Sequence, residues 1–374
     1  MRRSDPNELR AKMVSTLRER GVFRGDAIER AFEAVPREVF LPDVDIERVY
    51  SGDAIPTKAD AAGQPVSSSS EVGVMAAMIE MCDLAPGHRV LEIGAGTGYN
   101  AAVLATIVGP SGRITSLDID ALFADEAREH LAEAGFASVD VVAADGWYGH
   151  PDGAPYDRIE VTASSSDVSP HWVGQLAEDG RLVMPLRLRA GSQVLVSFRK
   201  DGRNLVSTSL RPGAFLPLRG PSAMHESLIE IAGFDVAPSA LSASARSVLE
   251  TLLSQKPRTI ELSGPLRWDA FALISMAVPT AVGVRRKGEN GTAIGLLNEE
   301  PPGLALLELT GSTFAGPLTH LIGYGSPLAM DALRLQLNDI RKARVSEFQI
   351  VARRRRPPAD HLGYRFEFSR MAAM

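Results

Sequence analysis

The sequence has very little cysteine and lacks long apolar runs. Cys82 is the single cysteine among 374 residues, so no disulfide can form within the chain, which suits a reducing cytosol. We expect Cys82 to lie in the core, because it follows a helix-like apolar pattern. No stretch of about 18 apolar residues occurs, and the first ten residues, MRRSDPNELR, are not followed by the apolar segment of a signal peptide. The sequence therefore predicts a cytoplasmic protein with no membrane span.

The chain also lacks an excess of positive charge and any metal-ligand spacing. Its net charge is −6, whereas general nucleic-acid binders are usually basic. Its seven histidines are scattered, and no pair of cysteines accompanies them. We therefore expect neither a nucleic-acid partner nor a metal ion. What the chain does have is 45% apolar residues and a length that indicates two domains.

Short apolar runs alternate with helical stretches in the middle of the chain. Five of them predict strands: HRVLEIG, RITSLDID, SVDVVAAD, YDRIEVTA and RLVMPL. Strands that alternate with helices pair in parallel through right-handed crossovers, so the fold class is α/β. Residues 193–199 and 204–210 flank a turn sequence and predict a hairpin at the edge of this sheet.

The pattern changes on both sides of this region. Before it, helical patterns over 8–20 and 25–35 are followed over 43–70 by a long polar loop region with short elements. After it, a helix over 327–344 and several short strands predict a separate α+β unit. We therefore divide the chain into N-terminal helices with a substrate loop (1–70), a cofactor-binding domain (71–222) and a C-terminal α+β domain (223–374). The position of this last domain suggests substrate binding.

Three glycines follow the first predicted strand. Gly94, Gly96 and Gly98 are spaced by two, directly after Glu92 near the strand end. Glycines at a strand-to-helix turn let the backbone approach a ligand closely. A dinucleotide site has the spacing Gly-x-Gly-x-x-Gly, which is one residue longer. A nicotinamide-dependent oxidoreductase is therefore the weaker interpretation.

Acidic residues end the next two predicted strands. Asp118 ends the second strand, where a carboxylate can accept hydrogen bonds from both ribose hydroxyls. Asp145 ends the third strand, where a carboxylate could receive an adenine amino group. Glycines at the end of the first strand and an aspartate at the end of each of the next two predict a nucleoside pocket without a phosphate anchor. This favours S-adenosylmethionine over NAD. The alternative is that both aspartates cap helices.

Further motifs carry a family resemblance. They are Pro36–Pro42 (PREVFLP), Val90–Tyr99 (VLEIGAGTGY), Asp145–Gly149 (DGWYG), Val161–Ala163 (VTA) and Phe215–Leu218 (FLPL). Over about residues 8–222 the chain resembles protein-L-isoaspartate O-methyltransferases. The resemblance implies a Rossmann-like class I methyltransferase sheet, S-adenosylmethionine as cofactor and S-adenosylhomocysteine as product. It also implies a peptide or protein substrate that bears an aspartyl or isoaspartyl residue.

The candidate site residues fall into two groups. The predicted cofactor-binding residues are Glu92, Gly94, Gly96, Gly98, Asp118, Asp145, Gly146 and Trp147. Trp147 either stacks near the adenine or packs in the core. The predicted catalytic residues are Ser70, Ser69 and Thr162. Ser70, or Ser69 in its place, would hold the substrate carboxylate, and Thr162 would line the methyl-transfer site. The alternative for the serines is a flexible loop that caps the following helix.

Two departures from the family pattern shape the predicted function. The repair enzymes carry Ser-Gln-Pro before the cofactor strand, whereas this chain has Ser70-Glu71-Val72 in the register that needs no insertion. In a second register Gly63-Gln64-Pro65 matches instead, without the serine. The chain also continues past residue 222, where the repair enzymes usually end.

Extended actinobacterial relatives that share both features occur beside pathways that modify ribosomal peptides of the lanthipeptide, graspetide and lasso type. The resemblance to them implies methylation of an aspartyl side-chain carboxylate in an already cyclised peptide. The ester would then collapse to a succinimide, which hydrolyses to isoaspartate. The alternative is a repair methyltransferase for isoaspartyl residues, and a third interpretation is a non-catalytic scaffold that binds S-adenosylmethionine.

A run of four arginines stands near the C-terminus, at Arg353–Arg356. A charge run after a strand usually forms a solvated edge that blocks aggregation, and this is the interpretation we favour. The alternative is a basic docking site for an acidic peptide.

Overall fold

The structure is a computed structural model of the chain. It describes residues 5–61, 63–221, 228–237, 241–262, 266–267, 269–287, 292–309, 318–355 and 363–371. The helices are α1 (Pro6–Glu19), α2 (Asp26–Ala34), α3 (Ile46–Val49), α4 (Val72–Cys82), α5 (Tyr99–Val108), α6 (Ala121–Glu133), α7 (Pro170–Gln175), α8 (Ala243–Leu253), α9 (Ala270–Ala277) and α10 (Pro327–Lys342). Within these ranges, no helix has the length and apolar character needed to cross a membrane.

The strands, in chain order, are β1 (Ile55–Ala59), β2 (Pro65–Ser69), β3 (Arg89–Ile93), β4 (Arg113–Asp118), β5 (Asp140–Ala143), β6 (Tyr156–Val161), β7 (Leu176–Arg187), β8 (Gln193–Asp201), β9 (Asn204–Arg211), β10 (Ile229–Ile231), β11 (Phe234–Val236), β12 (Arg258–Glu261), β13 (Ala281–Arg286), β14 (Ala293–Asn298), β15 (Gly303–Leu309), β16 (Leu318–Gly325), β17 (Phe348–Arg354) and β18 (Tyr364–Arg370).

A nine-stranded sheet forms the centre of the molecule. Its strand order is β18-β17-β9-β8-β7-β6-β3-β4-β5. The strands from β3 to β7 pair in parallel with their neighbours, whereas β7, β8 and β9 pair antiparallel. The predicted Rossmann-like parallel sheet is therefore confirmed, and so is the hairpin at 193–210. Because β3, β4 and β6 are parallel neighbours, their carboxyl ends meet at one edge of the sheet.

Both faces of this sheet are covered, which explains why its central strands carry apolar side chains on both faces. On β3, Val90 packs into a core with Phe32, Tyr99 and Ile114 on one face. Leu91, the next residue, packs into a different core on the other face. Successive side chains of a strand point to opposite faces, so a strand between two layers is expected to be mainly apolar on both sides. A polar side chain in such a strand is therefore buried.

The N-terminal segment contains a hairpin that the sequence did not predict. Within the predicted loop over 43–70, β1 and β2 pair antiparallel, with Ile55 opposite Ser69. The sequence signal for a strand was weak here, because β2 has the sequence PVSSS, which is poor in the residues that favour strands. The hairpin brings the serines of β2 to the sheet edge described above.

The C-terminal segment contributes to two sheets. Most of it forms a seven-stranded antiparallel sheet in the order β10-β11-β13-β14-β15-β16-β12. The chain then returns, and β17 pairs with β9, with Val351 opposite Val206. The Asp167 carboxylate accepts backbone N–H groups of Gly363 at 2.6 Å and Tyr364 at 2.9 Å, which ties the start of β18 to the loop after β6. The predicted segment 223–374 thus continues the methyltransferase sheet as well as forming its own.

Two sequence predictions in this segment fall partly outside the described residues. Residues 288–291, whose sequence Gly-Glu-Asn-Gly predicts a turn between two strands, lie outside them, although β13 and β14 on the two sides pair antiparallel. Arg356 of the arginine run also lies outside them. Arg353, at the end of β17, donates from Nε to the Glu367 carboxylate at 2.8 Å on the neighbouring strand. Both side chains are about half exposed, which fits the interpretation of a solvated edge.

Candidate active site

A cavity of about 310 Å³ lies at the carboxyl ends of β3, β4 and β6. Four segments line it: the serines at 67–70, the glycine loop after β3, the residues that follow β4 and β6, and the extended segment 214–219. Ser69, Ser70, Gly94, Gly96, Asp118, Gly146 and Thr162, all predicted from the sequence, are among its lining residues. Glu92, Gly98, Asp145 and Trp147 are not.

Gly94 allows the loop after β3 to approach Thr162. Its φ is +109°, and a Cβ at this position would lie 2.3 Å from Thr162 Oγ1. The Thr162 hydroxyl donates to the carbonyl oxygens of Ile93 at 3.0 Å and Gly94 at 2.9 Å. Thr162 thus lines the cavity, and its hydroxyl fixes the glycine loop, while its place at the methyl-transfer site stays a prediction. Gly98, with a φ of +89°, is the N-cap of α5 behind that loop.

Asp118 joins the glycine loop to the end of β4. Its Oδ2 accepts the backbone N–H of Gly96 at 3.0 Å, and its Oδ1 accepts that of Asp120 at 3.1 Å. Arg219 Nη2 lies 3.8 Å from Oδ1. Burial raises the pKa of Asp118, while these hydrogen bonds and the Arg219 charge act in the opposite direction. The carboxylate is therefore held in place at the position where the sequence predicts a ribose.

At the third strand end, Asp145 and Trp147 make contacts within the protein. Asp145 Oδ1 accepts the backbone N–H of Trp147 at 2.9 Å, so this carboxylate caps a short 3-10 helix. The Trp147 ring packs edge-on against Trp172, with ring centroids 5.6 Å apart, inside the core. Capping and core packing, the alternatives considered for these two residues, are what the geometry shows. Their adenine contacts stay predictions without support from the cavity lining, whereas Gly146 between them does line it.

A buried arginine holds the serine segment. Arg37 is 0% exposed, and its Nη2 donates to Ser69 Oγ and to the carbonyl oxygens of Ser70 and Asp53, each at 3.1 Å. Burial lowers its pKa. Ser69 is therefore a hydrogen-bond acceptor for a buried cation, while Ser70 lines the cavity next to it. The sequence contained a signal for this residue, because Arg37 stands in the PREVFLP motif, but no role was assigned to it.

The sequence interpretation also missed residues on two other segments. Glu160, inside the apolar strand β6, is 1% exposed and lines the cavity. Residues 215–218, the FLPL motif, form an extended segment that contacts Ser164 through two backbone hydrogen bonds of 2.8 Å. Arg219 follows this segment, and its guanidinium lies 5.5 Å from the centre of the Phe123 ring. A carboxylate between Ile159 and Val161, in a strand covered on both faces, was the available signal for Glu160.

Comparison with known proteins identifies the family. The sequence model of the protein-L-isoaspartate(D-aspartate) O-methyltransferase family matches residues 7–223, more than half of the chain. The chain belongs to this family. It is similar to the protein-L-isoaspartate O-methyltransferase of Methanothermobacter thermautotrophicus, with 38% identity over 212 residues that cover 56% of this chain and 95% of that protein. The enzyme of the same name from Thermotoga maritima is 37% identical over 200 residues, which cover 53% of this chain and 62% of that protein.

The C-terminal segment also has a counterpart in this family. A solved structure of a protein-L-isoaspartate O-methyltransferase aligns with 96% of this chain and 99% of its own, with 25% identity and a TM-score of 0.56. An alignment of this extent includes residues beyond 222. The tail by itself therefore does not separate this chain from proteins that carry the family name.

As a member of the family, the chain is a protein carboxyl O-methyltransferase that depends on S-adenosylmethionine, and its residues fit that cofactor. Gly94 and Gly96 have positive φ and line the cavity, so the backbone there is open to a ligand. Asp118 stands on the next strand, held by the Gly96 N–H. The bound cofactor supplies an electrophilic methyl group on a sulfonium, and the chain's own residues must position a carboxylate beside it.

Proposed function

We propose that this chain methylates the free carboxyl group of an isoaspartyl residue in a polypeptide. The observation that carries this proposal is the cavity shared by the serine segment and the glycine loop. A Cβ on Gly96 would lie 3.8 Å from Ser67 Oγ, so the two segments touch. Ser70 would donate a hydrogen bond to the substrate carboxylate, and Arg37 positions Ser69 and Ser70 from behind.

The chemistry of a carboxylate fits the residues around the cavity. Among the described residues that line it, none is a histidine, a lysine or a cysteine. A carboxylate is already ionised near pH 7 and needs no base, unlike an alcohol or an ammonium group. The protein can therefore act mainly by alignment and by exclusion of water, and good alignment is worth about 7–11 kcal/mol.

A second candidate function is methylation of an aspartyl side chain in a dedicated, cyclised ribosomal peptide. The observation that favours it is Glu71, which replaces the glutamine of the family's Ser-Gln-Pro. Glu71 is half-buried and lines the cavity beside Ser70, and burial and the nearby Asp53 raise its pKa. A carboxyl group at this position repels a second carboxylate when ionised, so it favours a substrate that brings a hydrogen-bond donor or a cation next to its aspartate.

Tritiated S-adenosylmethionine separates the two candidates. The substrates are an isoaspartyl peptide, its aspartyl counterpart and a ring-containing peptide with one aspartate. Each is tested with the wild type, with Glu71→Gln, and with Glu71→Gln combined with Val72→Pro. The first proposal expects label on the isoaspartyl peptide, with faster turnover when the family's Gln-Pro is restored. Label on the cyclic peptide alone, lost in Glu71→Gln, would support the second candidate instead. If no peptide is labelled although the cofactor binds, the chain is a scaffold.

A further inference from the structure

Two glutamates face each other in the middle of the sheet. Glu92 on β3 and Glu160 on β6 are direct partners in the parallel register. They are 0% and 1% exposed, and neither forms a salt bridge within the described ranges. Buried carboxyl groups without a cation are unusual, because removing a charge from water is costly. The negative charge of this pair must therefore be neutralised by a cationic ligand or by a bound proton.

The hydrogen bonds satisfy only one of the two carboxyl groups. Asn100 Nδ2 donates to Glu92 Oε1 at 2.7 Å and to Glu160 Oε2 at 2.9 Å. The Ser116 hydroxyl donates to Glu92 Oε2. Glu160 Oε1 is buried and has no hydrogen-bond partner among the described residues. An unsatisfied buried oxygen of this kind costs about 1–3 kcal/mol, so its environment predicts a missing donor.

The cavity is where that donor can come from. Glu160 and Asn100 line it, as do Gly94 and Thr162, whereas Glu92 does not. Asp118 lines the same cavity from β4, and β3 lies between β4 and β6. Two strand spacings, about 10 Å, therefore separate the predicted ribose position from Glu160. A ligand with a hydroxylated sugar at one end and a cationic N–H donor at the other matches this arrangement.

We propose that Glu160 binds the α-ammonium group of the methionyl part of the cofactor, with Asn100 and Glu92 as positioning residues. Within the methionyl part, the ammonium group carries three N–H donors, whereas the sulfonium and the carboxylate carry none. With the ribose at Asp118, the ammonium is therefore the donor that can satisfy Glu160 Oε1. The proposal rests on S-adenosylmethionine as the cofactor and is independent of which carboxyl group receives the methyl.

The state of the pair in the free protein follows from its surroundings. Burial raises the pKa of Glu160 to about 8 and that of Glu92 to about 7. The negative charge of Glu92 contributes to the increase for Glu160. The other ionisable groups that act on the pair are the Cys82 thiol on α4 and Asp118 on β4, and neither is a cation. The free protein therefore holds a proton on this pair near pH 7.5. An ammonium group placed there favours the ionised form, so binding releases that proton.

Calorimetry with two ligands tests the proposal. S-adenosylhomocysteine carries the ammonium group, whereas 5′-methylthioadenosine has the nucleoside and sulfur without it. We expect Glu160→Gln to weaken S-adenosylhomocysteine binding by about 10- to 100-fold, the loss of one charge-assisted hydrogen bond, and to change 5′-methylthioadenosine binding by less than about twofold. Titrations of the wild type in buffers of different ionisation enthalpy should show proton release at pH 7.5, and Glu160→Gln should release less.

A matched control is Glu80→Gln, another largely buried glutamate, which pairs with Arg211 at 2.7 Å and does not line the cavity. It should bind both ligands as the wild type does. Equal weakening of both ligands in Glu160→Gln, or no weakening of either, would overturn the proposal. In the wild type alone, the preference for S-adenosylhomocysteine over 5′-methylthioadenosine should increase from pH 6 to pH 9, and a flat ratio counts against Glu160. If the wild type binds neither ligand, the cofactor assignment fails, whereas peptide specificity is judged by the labelling experiment.

Discussion

Gly94→Ala tests whether the glycine loop and Thr162 act as one unit. Two separate costs arise from the structure. The φ of +109° is unfavourable for any residue with a Cβ, which costs about 1–3 kcal/mol. The added Cβ would also lie 2.3 Å from Thr162 Oγ1, and relief of such an overlap costs about a further 1–3 kcal/mol. We expect the free energy of unfolding to fall by about 2–6 kcal/mol in total.

The assay is urea unfolding followed by far-ultraviolet circular dichroism, with linear extrapolation to water. Gly135→Ala is the matched control, because Gly135 has a φ of +86° and no atom within 4 Å of an added Cβ. It should report the backbone cost without the overlap. Thr162→Ala removes the hydroxyl, so the double variant should recover about 1–3 kcal/mol relative to the sum of the single changes.

Two results would refute this reasoning. One is a Gly94→Ala variant no less stable than Gly135→Ala, which would mean that the overlap is relieved without cost. The other is strict additivity of Gly94→Ala and Thr162→Ala, which would show that the two residues do not touch in solution. S-adenosylhomocysteine affinity, measured on the same proteins, should fall in Gly94→Ala and stay unchanged in Gly135→Ala.

Four further outcomes are expected. Asp118→Ala should weaken S-adenosylhomocysteine binding by about 1–3 kcal/mol in calorimetry, because ribose hydroxyls lose their acceptor, and unchanged affinity would place the ribose elsewhere. Arg37→Lys should lower the free energy of unfolding by about 2–4 kcal/mol in urea, since an ammonium group cannot reach all the acceptors of the guanidinium; a loss below about 1 kcal/mol would contradict this. The pKa values of Glu92 and Glu160 are raised from 4.5 to about 7 and about 8, so the stability from their neutral forms is complete below about pH 4.5 and is lost as the pH rises through 7 and 8. The cofactor-free protein should therefore unfold at a lower urea concentration at pH 9 than at pH 6. Glu160→Gln should reduce that difference. Asp167→Asn should speed amide hydrogen exchange at Tyr364 and Gly363, and unchanged exchange would show that this carboxylate does not hold β18.

Local signals in the chain were enough to identify the central sheet. Strands covered on both faces carry apolar side chains on both sides, and the neighbours Val90 and Leu91 on β3, which pack into different cores, show this directly. The Gly94–Gly98 spacing can be recognised within a few residues, and Asp118 can be recognised because it stands at the end of the next predicted strand. The order of parallel strands places them together, so the cofactor edge could be predicted without coordinates.

Contacts between distant segments decided the rest. Asp145 and Trp147 stand at the predicted strand end, but only the packing of Trp147 on Trp172 shows that the ring is in the core. The PVSSS segment became a strand through its pairing with β1 and through Arg37, which lies 32 residues away from Ser69.

The sequence by itself determined the sheet, the glycine loop and the family, because these follow from local periodicity and short motifs. The tertiary structure decided which polar side chains reach the cavity and that β17 and β18 return to the first sheet. Those outcomes depend on burial and on hydrogen bonds between residues far apart in the chain, and neither is encoded in any short stretch of it.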